Sequence, residues 1–119
     1  MSKYFSPDEQ GLDDGRFEKL KPELLEKLDK LRELYGKPIY ITSSYRDATH
    51  PIEAKKSSPG EHSHGAAVDI AAVGGYDAFL LVKYAIEAGF TRIGVSRKSS
   101  FIHLGLGYPG APDVTLWTY

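Results

Sequence analysis

The sequence predicts an α+β fold, a small and mainly antiparallel sheet with helices on one face and the other face open. Three observations point to it. Two segments repeat apolar residues at helical spacing, and shorter β-rich runs lie between and after them. Their order is helix, strand, loop, strand, helix, strand, strand. Two of the strands pair an aliphatic side with a side carrying one ionisable residue among small neighbours.

The first twenty residues read as a loosely structured lead-in. The first helix spans Pro22 to Tyr35. Phe17, Leu20, Leu24, Leu28, Leu31 and Tyr35 recur at intervals of three and four, with Leu25 and Leu34 widening the stripe. Pro22 suits a first helical position, and Gly36 suits the residue past the end. Glu23, Glu26, Lys27, Lys30 and Glu33 form a solvated face. "KPIYITSSYR" follows as a strand, with Ile39 and Ile41 on one side and Tyr40, Thr42, Ser44 and Arg46 on the other. Residues 47–60 are rich in Pro, Ser, Lys and Gly and form a loop with one short helical turn. "GAAVDIAAV" is the next strand. Residues 76–89 form a second, more apolar helix stopped by Gly89. "FTRIGV" and "SFIHLGLG" are strands, and the tail "YPGAPDVTLWTY" ends in an edge strand.

A chain of 119 residues suits one domain, here residues 1–119. Folding at this size buries roughly two-thirds of the unfolded chain's surface. There is no cysteine, which excludes disulfides, thiolate catalysis and thiolate zinc sites. Fifteen basic and sixteen acidic residues give a net charge of −1, with no basic block. Nucleic-acid binding by phosphate neutralisation is therefore not expected. The start "MSKYFSPDEQ" has no apolar run, so neither signal peptide nor membrane anchor is expected, and the product is made in a cytoplasm. A monomer is expected.

The open face holds the chemistry. In "AAVDIA", Ala66, Val68 and Ile70 point to the core, and Ala67, Asp69 and Ala71 point away. In "FIHLGL", Ile102, Leu104 and Leu106 point to the core, and Phe101, His103 and Gly105 point away. Ala67, Ala71 and Gly105 leave room above the sheet for an ion, a water and a substrate. A tight turn at Ser63–Gly65 would fold His62 back over the strand. His62, Asp69 and His103 would then supply two imidazoles and a carboxylate with a fourth position free, the arrangement of catalytic zinc. Spacing alone leaves the alternative open, since a lone strand histidine is more often a hydrogen-bonded core or surface residue. His64 reads as an outer partner or surface residue, and His50 as surface. Tyr40, Tyr45 and Phe101 are either sheet packing or cleft walls.

These residues also resemble a known family. "GEHSHGAAVDI" is similar to the His-x-x-Gly-x-Ala-x-Asp signature of the zinc D-alanyl-D-alanine carboxypeptidases and L-alanyl-D-glutamate endopeptidases, a superfamily that includes the zinc-binding Hedgehog signalling domain. "ITSSYR" resembles the Ser-x-Tyr-Arg strand before that signature, and "FIHLGL" resembles the strand with the last ligand. "FSPDE", "PELLEKLDKLRELYGKP" and "AIEAGFTRIGV" follow the family's order, so the likeness covers nearly the whole chain. The resemblance implies zinc held by His62, Asp69 and His103, with Arg46 contacting substrate and stabilising oxyanion charge. It implies a zinc cleft on the sheet's open face and a peptidoglycan stem peptide as substrate. It also implies action on the cell wall, as in phage lysis or virion enzymes.

Two departures stand out. Many members carry an acid three residues before the last histidine, where this chain has Ser100. Many have Asp two residues after it, where this chain has Gly105. Hedgehog-type domains place an acid six residues before, where this chain has Arg97. A general base is worth about 10²- to 10⁴-fold in rate, and Glu61, Glu53 and Asp47 are the loop carboxylates within reach. The function expected is a zinc metallopeptidase acting on stem peptides by D,D- or L,D-type cleavage. The rivals are a zinc-binding recognition module without hydrolysis and a phage structural or adhesin domain.

Overall fold

A computed structural model describes residues 2–47, 49–54 and 60–119, apart from the side chains of residues 53 and 54. The fold is α+β, as the pattern predicts. Helix α1 spans Pro22–Tyr35, with Pro22 in its first turn and Gly36 closing it in the left-handed conformation. A short α2 covers Pro51–Ala54, and α3 covers Gly75–Ala88 with Gly89 as its left-handed cap. The strands are β1 (Ile41–Ser43), β2 (Ala67–Ala71), β3 (Arg92–Ser96), β4 (Phe101–Gly105) and β5 (Thr115–Thr118).

They form one sheet in the order β1-β2-β4-β3-β5. Every pairing is antiparallel except β3 with β5, which is parallel. The core lies between the sheet and the two long helices. Leu24, Leu28 and Leu31 of α1 and Leu81 and Ala85 of α3 meet Val68, Ile70, Ile102 and Leu104 of the sheet, all of them buried. Alternation along β2 and β4 then sends Asp69 and His103 to the opposite face.

Cross-strand register makes a row on that face. Asp69 stands opposite His103, His103 opposite Gly94, and Gly94 opposite Trp117. A second row runs from Ala67 through Gly105 to Arg92. Directly opposite residues share a face, so register sets the neighbours of His103 within the sheet.

Three details differ from the sequence expectation. The lead-in is not loose. Phe5, Leu12 and Leu20 are buried in the core, and Asp29 of α1 accepts hydrogen bonds from the Ser2 hydroxyl and the Lys3 and Tyr4 amides. Phe17 lies in a separate 3-10 turn over Phe17–Lys19, because the chain is extended at Leu20 before α1 begins. Strand β1 is three residues long and carries a bulge between Ile41 and Ser43 in its pairing with β2. The bulge shifts the alternation. Ser44 is therefore buried and donates its hydroxyl to Gly11 O instead of joining Thr42 on the open face.

Candidate metal centre

The site begins with a turn. Residues Glu61–His64 form a single 3-10 turn that ends at Gly65, which takes a left-handed φ of 66°. A Cβ at Gly65 would lie 2.1 Å from Lys19 O, so both the turn and the packing require glycine. The chain then enters β2 with His62 folded over Asp69. The His62 carbonyl accepts the Arg46 amide at 3.2 Å, which ties the turn to the end of the first sheet segment.

His62, Asp69 and His103 converge, and one ligand atom from each lies within 4.8 Å of the others. All three residues are buried. His62 Nδ1 donates to Ser44 O at 2.6 Å, which turns Nε2 toward Asp69 Oδ1 at 3.4 Å, and in the neutral ring Nε2 is then the acceptor. His103 presents Nδ1 to the same oxygen at 3.2 Å. Its Nε2 lies 2.7 Å from Glu61 Oε1. Both partners are carboxylates that accept and cannot donate, so a neutral His103 can satisfy one of them, and the shorter contact, to Glu61, favours hydrogen on Nε2 with Nδ1 facing Asp69 as a lone pair. Three potential ligand atoms thus face one another in a buried space. A divalent cation there would satisfy all three, and Ser44 O and Glu61 already hold the far nitrogens of the two rings.

The electrostatics agree. Burial pushes the Asp69 carboxyl up, yet hydrogen bonds and charge from His103 and His62 outweigh it and hold the group well below the usual carboxylate range. Burial likewise opposes charge on His103, but the carboxylates of Asp69 and Glu61 raise it above the ordinary imidazole range. Without a cation, a proton takes the cation's part.

Arg46 stands at the rim with Nη2 3.5 Å from Asp69 Oδ2. It lines a cavity of about 400 Å³ shared with the two histidines, Phe101, Tyr108, Trp117 and Tyr119. Arg46 also borders a second, polar groove of about 880 Å³ between residues 10–19 and residues 42–47, 49 and 50. His64 is exposed and stacks on Tyr108 with ring centroids 5.3 Å apart. His50 is exposed at the polar groove. Tyr45 packs against the core, Phe101 is a cavity wall, and Tyr40 is exposed.

The room expected over Gly105 is not open to substrate. The Glu61 carboxylate fills it, and Arg92 beside it holds Nε 3.0 Å from Glu61 Oε2, out of line for a hydrogen bond. Arg92 also donates to Pro112 O at 2.7 Å. Sequence reasoning missed Arg92 and Trp117. The alternation of "FTRIGV" places Arg92 on the open face, whereas the reach of Trp117 depends on a parallel pairing that no local pattern shows. Trp117 lies over Gly94, where a Cβ would meet the indole at 2.5 Å, and its ring reaches to 5.0 Å from His103.

A family model described as Peptidase M15 matches residues 2–105. The chain belongs to the Peptidase M15 family. The match takes in all three converging residues and Arg46. Strand β5, with Trp117, lies beyond it. No curated protein matches the chain. Membership of M15 makes the chain a metallopeptidase relative, and its cluster of two imidazoles and a carboxylate fits a metal on chemical grounds independent of the match. No helix among the described residues of this M15 chain is long and apolar enough to cross a membrane.

Proposed function

We propose that this M15 chain is a zinc peptidase that hydrolyses peptide bonds in the stem peptides of bacterial peptidoglycan. The observation that carries this is the convergence of His62 Nε2, Asp69 Oδ1 and His103 Nδ1 in a buried pocket with a cationic rim. Zinc held there would supply a Lewis acid and lower the pKa of a bound water. The chain's own groups do the rest. Arg46 brings a fixed positive charge to the rim, where it pairs with charge developing on the oxygen of the attacked carbonyl. Phe101, Trp117 and Tyr119 wall the cavity and exclude water from one side. The polar groove that meets the cavity at Arg46 offers a path for the rest of an extended peptide. One core, running from Phe5 to Leu104, supports a single domain.

A second function, zinc-dependent recognition without hydrolysis, is favoured by one observation. Among the described residues, the carboxylates of the cavity are Asp69 and Glu61, and both are engaged with histidines. Asp47 is exposed and accepts from the amide and hydroxyl of Thr49. The Glu53 side chain lies outside the described residues. Digestion of purified peptidoglycan with and without chelator, followed by mass spectrometry of the products, separates the two functions. Peptidase action predicts chelator-sensitive release of peptide fragments that identifies the bond cut. Stoichiometric zinc with intact muropeptides would establish the recognition module instead.

A further inference from the structure

Glu61 stands beside the first histidine in sequence but serves the last one in space. Its side chain is 3% exposed. Oε1 is 2.7 Å from His103 Nε2, and Oε2 accepts the Gly107 amide at 2.8 Å with Arg92 Nε 3.0 Å away. It meets the ring edge opposite the nitrogen that faces Asp69, so it stands behind the ligand and not beside an attacking water. Its place exists because residue 105 has no side chain. A Cβ there would lie 2.0 Å from Oε2 and 2.5 Å from the carboxyl carbon.

We propose that Glu61 is a positioning residue of the metal centre, fixing His103 in the tautomer with hydrogen on Nε2 and Nδ1 free, and that Gly105 is the vacancy that admits it. This rests on His62, Asp69 and His103 being the ligands. The physical basis is general. An outer carboxylate locks the ring's orientation, selects the tautomer and makes the ligating nitrogen more basic. Arg92 and the Gly107 amide give the carboxylate its own fixed partners, so it cannot swing away from the imidazole.

Glu61→Gln tests this sharply. Gly107 N–H donates to Oε2 and the Arg92 cation lies beside it, so an acceptor is favoured there. The glutamine therefore keeps its oxygen at that position and turns its NH₂ toward His103 Nε2. The imidazole must then accept at Nε2 and carry its hydrogen on Nδ1, the atom a metal needs.

The experiment reads the His103 ring nitrogens by ¹⁵N NMR in the metal-stripped full chain, well above the imidazole range of pH. Zinc affinity is measured in parallel by competition with a chromophoric chelator. The wild type should show hydrogen on Nε2, and Glu61→Gln should show it on Nδ1 with zinc affinity reduced about 10- to 100-fold. Zinc uptake by a wild-type chain whose His103 carries hydrogen on Nδ1 would overturn the role of Glu61 alone. So would a variant with unchanged tautomer and affinity. If the variant does not fold, the wild-type tautomer decides. Failure of the wild type to take up zinc would overturn the metal centre, and the role of Glu61 with it.

Discussion

Each metal-facing side chain owes its chemistry to a partner that fixes one of its atoms. His62 offers Nε2 because Ser44 O takes Nδ1–H, and that carbonyl is in place because the β1 bulge turned Ser44 inward. Arg46 differs from these, since it faces the cavity and, in the proposed reaction, meets the substrate. Arg46→Ala should lower kcat/KM on a stem peptide by about 10²- to 10³-fold while zinc content stays at the wild-type level. Arg46→Lys should recover part of the loss, because an ammonium keeps the charge and lacks the planar fork. Steady-state kinetics with metal analysis of the same samples checks both. Unchanged kinetics in the alanine variant would remove Arg46 from catalysis.

Among the elements, the turn at Glu61–Gly65 governs the site. Gly65→Ala places a side chain at φ 66° and 2.1 Å from Lys19 O. The backbone conformation alone costs about 1–3 kcal/mol, and the contact with Lys19 adds to it. A lowered denaturant midpoint together with weaker zinc binding is expected, because His62 and the Lys21 amide bond to Gly65 O move with the turn. A variant as stable as the wild type would show that the turn does not position His62. Much at this level was legible in the chain itself. Proline at the start of α1 and glycine past its end marked the helix to the residue, and period two put Asp69 and His103 on the open face. What stayed illegible is non-local. The β1 bulge depends on pairing with β2, the burial of Phe5 and Leu12 depends on the helices they cover, and the place of Trp117 depends on β5 running parallel to β3. Glu61 was visible as a carboxylate near the site. Its role was not, because that role comes from facing position 105 across the fold.

For the whole molecule, the buried charges make stability depend on pH and on metal together. In the metal-free chain His103 is raised, so its contribution is full below the ordinary imidazole range and is lost as pH climbs through the raised value. Asp69 and Glu61 are lowered, so theirs is full above the ordinary carboxylate range and is lost as pH falls through the depressed values. Metal-free stability should therefore peak at about pH 5–6, between the two ordinary ranges. Zinc competes with the proton on the imidazoles, so the rise in Tm on adding zinc should grow from acid to neutral pH. Thermal unfolding across pH, with zinc and with chelator, checks both trends. A metal-free Tm that is flat from pH 5 to about pH 8 would contradict the linkage.

X-ray absorption at the zinc edge of the loaded full-length chain bears most directly on the convergence of His62, Asp69 and His103. It should report two imidazole nitrogens at about 2.0–2.1 Å and carboxylate oxygen at about 2.0–2.2 Å, with one imidazole lost in His103→Ala. A shell of oxygens without imidazole, or a spectrum unchanged by that substitution, would show that the metal sits elsewhere.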